Sequence, residues 1–344
     1  MRYPKFLHKG GRIGYLAPSY GCAIEPYRSA FENAVIKWRE MGYEQVFGPN
    51  CFAGEGVGIS NTPEKCAEEV MDMFLSDKAD ILISCGGGEL MCEILPYVDF
   101  KRLAEADPIW FMGYSDNTNL TYLLATLTDT ASVYGPCAAA FGMEPWHQSL
   151  WDALGILSGK QTVVQGYEMW EKESLKSAEN PLEPYHVTEP CEFRQFLGRK
   201  QVEGELCFQG RLLGGCMDCL VNLTGTRYDR TVEFVERYRA DGIIWFLEAA
   251  ELNVFSMRRA MWQMEEAGWF QYVKGFLIGR PYMGASMMGL DAYDAILEVA
   301  GRKGVPVVMD VDLGHLPPMM PLVVGSMAEV KTEGNKIEMR MNYI

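Results

Sequence analysis

Residues 108–120, PIWFMGYSDNTNL, decide how the chain is read. Ile109–Met112 is an apolar run of buried-strand length, and Gly113, Tyr114, Ser115 and Asp116 break it. From Asn117 to Thr128 the apolar residues Leu120, Leu123, Leu124 and Leu127 recur at helical spacing. Ser115 is therefore expected on a sharp strand-to-helix turn. Such a turn lifts a hydroxyl clear of the sheet edge and aims helix N-terminal N–H groups at an anion forming beside it. The run is not G-x-S-x-G, because Asn117 stands where the second glycine would be. Two readings of Ser115 stay open: a nucleophile on its elbow, or a helix N-cap, since Ser, Asp, Asn and Thr all cap helices.

Upstream, strands and helices alternate. Arg12–Pro18 reads as a strand, Pro26–Met41 as a helix and Tyr43–Phe47 as a strand. Thr62 caps a helix to about Ser76, and Ala79–Ser84 is a buried strand running into Cys85-Gly86-Gly87-Gly88-Glu89. A helix over Leu90–Tyr97 precedes the Ser115 strand, and Ala131–Tyr134 is a further strand. That order predicts a parallel sheet with helices on both faces, whose functional loops lie at the carboxyl ends of the strands. Gly86–Gly88 and Ser115 both follow strands, so both belong on that edge. The glycines let backbone approach a ligand and offer N–H donors, as an oxyanion loop or a phosphate cradle. No Walker Lys-Ser/Thr and no G-x-G-x-x-G accompanies them.

Downstream, Pro145–Gly159 reads as a helix. Periodicity then fades from Gln161 to Gln201, a polar segment rich in Glu and Pro that is either a linker or a loop leaning over the site. Trp170 within it is either an aromatic contact for a ligand or an anchor of the loop to the core. A second domain starts near Val202. It carries a strand over Glu203–Phe208, then Gly210–Gly215 leading into a helix that ends near Leu223. A buried strand, Gly242–Leu247, ends on Glu248, and further strands and helices follow to Asp310. Met327–Lys331 and Lys336–Met341 form a hairpin. The expected division is an N-terminal domain over 1–160, a linker or lid over 161–201 and a C-terminal domain over 202–344.

Composition narrows the function. The chain has 344 residues, 48% hydrophobic and 22% charged, as in a soluble globular protein. No run approaches the ~18 apolar residues that span a bilayer, and the N-terminus lacks a signal peptide's apolar core, so a cytoplasmic location and no membrane partner are expected. A net charge of −15 argues against a nucleic-acid partner. Ten cysteines without a signal suggest reduced, mostly buried thiols. Cys216 and Cys219 form a C-x-x-C with no second pair or histidine at ligand spacing, so no metal is expected; two helical cysteines facing a core fit better than a redox pair.

Four histidines are present: His8, His147, His186 and His315. His315 stands apart because Gly314, Pro317 and Pro318 fix its loop just past a buried strand, and a base that accepts a serine proton needs such placement. A satisfied structural histidine is the alternative. Glu248, at the end of an apolar strand, could orient that imidazole; Glu251, Asp310 and Asp312 compete for the role.

Together these residues resemble the S66 serine peptidases, the family of the LD-carboxypeptidases and the microcin C immunity protein. The likeness runs from YLAPS through GGGE, GYSDNT, LLGG…NLTGT and WFLE to LGHLPPMMPLVVGS, nearly the whole chain. It implies an α/β fold, with an N-terminal parallel-sheet (flavodoxin/amidotransferase-like) domain, a C-terminal mixed β/α domain and the site between them. It implies a Ser115–Glu248–His315 triad, oxyanion donors at Gly87, Gly88 and the Asp116 N–H, no cofactor and a homodimer. The expected substrate is a small peptide or a peptidyl-nucleotide, cut at an amide near a free carboxylate. Two departures bear on substrate choice. The family's R-G-G-Y-G is here Cys85-Gly86-Gly87-Gly88-Glu89, closer to the immunity branch. The substrate-meeting Asn of its G-G-N is replaced by Cys216. Trp170 falls where that branch has loop tryptophans that stack on a nucleobase. A different class, a non-hydrolytic nucleotide- or phosphate-binding protein using Gly86–Gly88, is the alternative.

Overall fold

The computed structural model describes residues 1–343, which divide into two compact units. The first comprises Met1–Gln161 and Glu173–His186; the second comprises Thr162–Lys172 and Val187–Tyr343.

The first unit carries parallel strands β1 (Arg12–Leu16), β2 (Glu44–Phe47), β3 (Ile81–Ser84), β4 (Trp110–Gly113) and β5 (Ser132–Tyr134), paired in the order β5-β4-β3-β1-β2. Its helices are α1 (Tyr27–Glu40), α2 (Pro63–Leu75), α3 (Phe100–Glu105), α4 (Thr118–Thr128) and α5 (Gln148–Leu157). Strand alternation sends neighbouring side chains to opposite faces. Leu16, Leu82 and Phe111 join Val70, Phe74, Leu120 and Leu124 in one buried cluster, whereas Tyr15 meets Phe31 of α1 edge-on at 5.0 Å. Thr62 caps α2 as expected, accepting from the Lys65 N–H. The helix expected over Leu90–Tyr97 is present over Met91–Tyr97 as a 3₁₀ helix; it contains Pro96, whose missing N–H breaks an α ladder.

In the second unit, β6 (Val163–Gln165), β7 (Met169–Glu171), β8 (Val187–Pro190), β9 (Arg194–Leu197) and β10 (Lys200–Val202) fall within the stretch that looked aperiodic. Strands of three or four residues are too short to display a period. Their partners are remote in sequence, β6 on the C-terminal strand and β9 on the strand that leads to His315. Then follow β11 (Leu206–Cys216), α6 (Met217–Leu223), α7 (Thr231–Arg237), β12 (Ile243–Glu248), α8 (Val254–Glu266), β13 (Val273–Gly279), α9 (Ala292–Ala300), β14 (Pro306–Val311), β15 (Leu322–Val324), β16 (Met327–Glu333) and β17 (Lys336–Asn342). A nine-stranded sheet runs β10-β9-β14-β13-β12-β11-β16-β17-β6, parallel across β11 to β14 and antiparallel toward both edges. β7 and β8 pair as a separate antiparallel hairpin. The core behind the parallel strands is aromatic: Trp245 stacks on Trp269 at 5.7 Å, and neither is exposed. Burying each removes some 200 Å² from water, about 5 kcal/mol gross. Gly214 adopts φ +153°, and a Cβ there would run into the Phe246 carbonyl, so only glycine lets β11 lie against β12.

All ten cysteines are free thiols, eight of them buried. Among the described residues, no helix is long and apolar enough to cross a membrane.

Candidate active site

In the first unit the chain leaves β4 at Gly113, extends through Tyr114 and turns at Ser115, whose φ is +62°. A left-handed non-glycine residue costs on the order of 1–3 kcal/mol and persists only where its surroundings hold it. Here Asn117 holds the turn. Its Nδ2 donates to the Gly86 carbonyl at 2.8 Å and to the Tyr114 carbonyl at 3.0 Å, stitching the glycine loop to the elbow. A Cβ on Gly113 would come within 2.8 Å of Asn117 Cγ, so the glycine before the turn makes room for this amide. The Ser115 N–H donates to Tyr134 Oη at 3.3 Å. α4 begins at Thr118 with Asn117 in its cap position, so Ser115 lies two residues ahead of the cap.

Asp116 turns its buried carboxylate inward, accepting from Ser19 Oγ at 2.5 Å, the Met91 N–H at 2.9 Å and Asn119 Nδ2 at 3.1 Å. Any contact of Asp116 with a reacting group is therefore left to its main chain. Gly87 faces the serine: a Cβ built on it would stand 3.2 Å from Ser115 Oγ. Its carbonyl accepts the Tyr20 N–H at 2.7 Å, which fixes the peptide. The open side of Gly88 is filled by Ser19 Oγ. Asn117, Ser19 and Tyr20 were not singled out from the sequence as site residues. The loop PSYG after β1 carried the signal for two of them, since it too follows a strand's carboxyl end.

In the second unit, Glu248 ends β12 and is 1% exposed. Its Oε2 accepts a hydrogen bond from His315 Nδ1 at 2.8 Å. Two glycines make this pocket. Gly314 has φ +94°, and a Cβ there would fall 2.5 Å from Glu248 Oε2; one on Gly279 would fall 3.0 Å from Glu248 Cβ. Burial by itself would lower the His315 pKa. The Glu248 carboxylate, by charge and by hydrogen bond, outweighs it with help from Asp218 and Glu251, so the imidazole titrates above its ordinary value. Two of the three competing carboxylates are engaged elsewhere, Asp312 on Arg280 and Asp310 on Tyr293, while Glu251 acts on the imidazole only through its charge.

Cys216 ends β11 in register with Glu248. It lies at a strand end, not on a helix as expected, while Cys219 is in α6, and both are buried. Its hydrogen bond with Cys219, its burial and the nearby Glu248 push its pKa well above the usual thiol range. A thiol so held stays protonated and is no nucleophile. Between the two cysteines sits a residue the sequence reading passed over, Asp218. Its carboxylate accepts the N–H groups of Ala250, Glu251 and Leu252 at 3.0, 2.9 and 3.1 Å, fixing the loop that leaves Glu248.

Trp170 lies on β7, partly exposed. Its Nε1 donates to the Pro190 carbonyl at 3.2 Å, and the Arg280 guanidinium sits 5.1 Å from its ring centre. Thus Ser115, Gly87, Gly88 and Asp116 belong to the first unit, and Glu248, His315, Cys216 and Trp170 to the second. Among the described residues, no group of three or more His, Cys, Asp or Glu is placed to hold a metal ion.

The model of the LD-carboxypeptidase N-terminal domain matches residues 13–135, and that of the LD-carboxypeptidase C-terminal domain matches residues 209–330. A Vibrio cholerae protein with the provisional name carboxypeptidase is 23% identical over 351 residues, covering 100% of this chain and 99% of its own. The microcin C7 self-immunity protein of Escherichia coli is 24% identical over 350 residues, covering 98% of this chain and 95% of its own. Solved structures of a microcin C7 self-immunity protein share the fold. One in complex with glutamyl sulfamoyl guanosine has TM-score 0.81 and 20% identity. Another, with aspartyl sulfamoyl adenosine, has TM-score 0.80 and 22% identity; each covers 99% of both chains.

Proposed function

This chain belongs to the S66 peptidase family, and on that premise we propose that it is a serine hydrolase cutting an amide bond near a free carboxylate. Ser115 is the nucleophile, His315 the general base and Glu248 the carboxylate that orients and charges the imidazole. The observation that carries this reading is the buried Glu248–His315 hydrogen bond. With Nδ1 on Glu248, Nε2 is the nitrogen that takes the serine proton, and the carboxylate stabilises the imidazolium that results. Ser115 Oγ attacks the carbonyl as its proton passes to Nε2, and the N–H groups of Gly87 and Asp116 receive the oxyanion. The imidazolium then protonates the leaving amine, and a water activated by His315 releases the acyl group.

For the substrate we favour an aminoacyl- or peptidyl-nucleotide. The self-immunity protein binds acidic aminoacyl sulfamoyl nucleosides carrying either purine. Trp170, a partly exposed ring fixed from one side by Arg280, suits a purine of either kind, because stacking does not read base edges. The test is mass spectrometry of products from aspartyl sulfamoyl adenosine and from an LD-tetrapeptide, with wild type and Ser115→Ala. Cleavage of the nucleoside by wild type alone is expected. Equal cleavage by Ser115→Ala would remove the nucleophile, and a clear preference for the tetrapeptide would overturn the substrate class.

A further inference from the structure

The second unit contains a buried polar node that the chemistry above does not use. Arg280, just past β13, is 6% exposed, and Asp312, just past β14, is 3% exposed. Arg280 Nη2 donates to Asp312 Oδ1 at 2.5 Å and Nη1 donates to the Asp310 carbonyl at 2.9 Å. Its Nε is buried without a hydrogen-bond partner, so the two Nη groups and the Trp170 ring fix the guanidinium. Asp312 is held from the other side as well. Its Oδ2 accepts the Tyr167 N–H at 2.8 Å, and its Oδ1 also accepts from Cys191 Sγ at 3.1 Å.

These contacts tie two segments together. One is the β7–β8 hairpin with its flanks, which carries Trp170 between Tyr167 and Cys191. The other is the stretch from Asp310 to Pro318, which carries His315. A further bond crosses between them, from the Glu171 N–H to the Pro317 carbonyl at 2.7 Å. Asp310 itself has φ +65°, a left-handed conformation that the Arg280 bond to its carbonyl helps to hold.

We propose that Arg280 is a positioning residue serving both ends of the substrate: through Trp170 it fixes the platform for a flat ring, and through Asp310 and Asp312 it fixes the loop that presents His315. A planar guanidinium can do both at once, because its face stacks while its edge donates in a fork. Lysine keeps the charge and loses both geometries. The role rests on the hydrolase reading above.

The test is Arg280→Lys, with Asp312→Asn as the second variant should the first fail to fold; circular dichroism checks each. Two readouts are taken on the full chain: the rate at which a fluorophosphonate labels Ser115, which needs His315, and the dissociation constant for adenosine monophosphate, which needs the ring platform. In a folded variant, labelling should slow about tenfold or more, as expected for a base displaced by a fraction of an ångström. The dissociation constant should rise about fivefold or more, as expected for a loosened stacking contact. A folded variant that is merely less stable, with either readout as in wild type, overturns the role. Wild-type protein whose Ser115 takes no label removes the hydrolase reading, and this role with it; labelled wild type with an unaffected variant removes the role alone.

Discussion

The backbone at Ser115 makes a prediction about sign. At φ +62° a residue with a Cβ costs about 1–2 kcal/mol over its right-handed alternative, and glycine escapes that cost. Glycine in exchange loses about 0.5–1 kcal/mol through its freer unfolded chain. Ser115→Gly should therefore be more stable than Ser115→Ala by about 0.5–1 kcal/mol, the difference of those terms. At an ordinary helical position the order is reversed by a similar amount. Both variants lack the hydroxyl, so contacts made through Oγ are lost equally and drop out of the comparison. The assay is thermal unfolding of the two side by side, where 1 kcal/mol shifts the midpoint by roughly 1–2 °C in a chain of 344 residues. Both should be inactive. Ser115→Ala melting at or above Ser115→Gly would mean the elbow is not left-handed, and the argument for a strained nucleophile would fail.

Other perturbations separate the parts of the site. Activity should rise with pH through a pKa above the ordinary histidine value, because His315 must be neutral to accept a proton and its carboxylate neighbours favour the charged form. Glu248→Gln removes that charge, so the limb should move to lower pH while kcat drops; an unmoved limb would mean another group is titrating. Gly314→Ala places a Cβ 2.5 Å from Glu248 Oε2 at φ +94° and should cut kcat more than tenfold. Gly334→Ala, at a left-handed hairpin turn with open space around it, should cost only about 1 kcal/mol of stability and no activity. Trp170→Ala should raise KM for a nucleotidyl amide by an amount matching ~1–3 kcal/mol of stacking, with little change in kcat, and should be nearly silent on an LD-peptide. Chelators should leave the rate unchanged, and restoration of a lost rate by a divalent ion would contradict a metal-free mechanism.

Much of this was legible in the chain because local pattern and local structure agree. The apolar run before Ser115 and the leucine spacing after it placed the elbow, and GIIWFL placed Glu248 at a buried strand's end. The Gly-Pro frame around His315 marked its loop. What escaped was set by partners far away in sequence. Strands of three or four residues between 163 and 202 exist because β17 and β14 pair with two of them, and nothing local announces that. Asn117 was noticed only as a departure from a serine-hydrolase motif, yet its amide joins the glycine loop to the turn. Asp218 was hidden between two cysteines that drew attention by their spacing, although its carboxylate holds three successive N–H groups after Glu248. Arg280 and Asp312 lie 32 residues apart and meet through adjacent parallel strands. A buried ion pair of that kind has no sequence signature.

The central claim is that Ser115 is a nucleophile activated by His315. Intact-mass and peptide-mapping spectrometry after exposure to a fluorophosphonate tests it most directly. The account predicts one adduct per chain, on Ser115, with labelling slowed about 10²–10⁴-fold in His315→Ala. No adduct, an adduct on another residue, or a His315→Ala variant that labels as fast as wild type would contradict it.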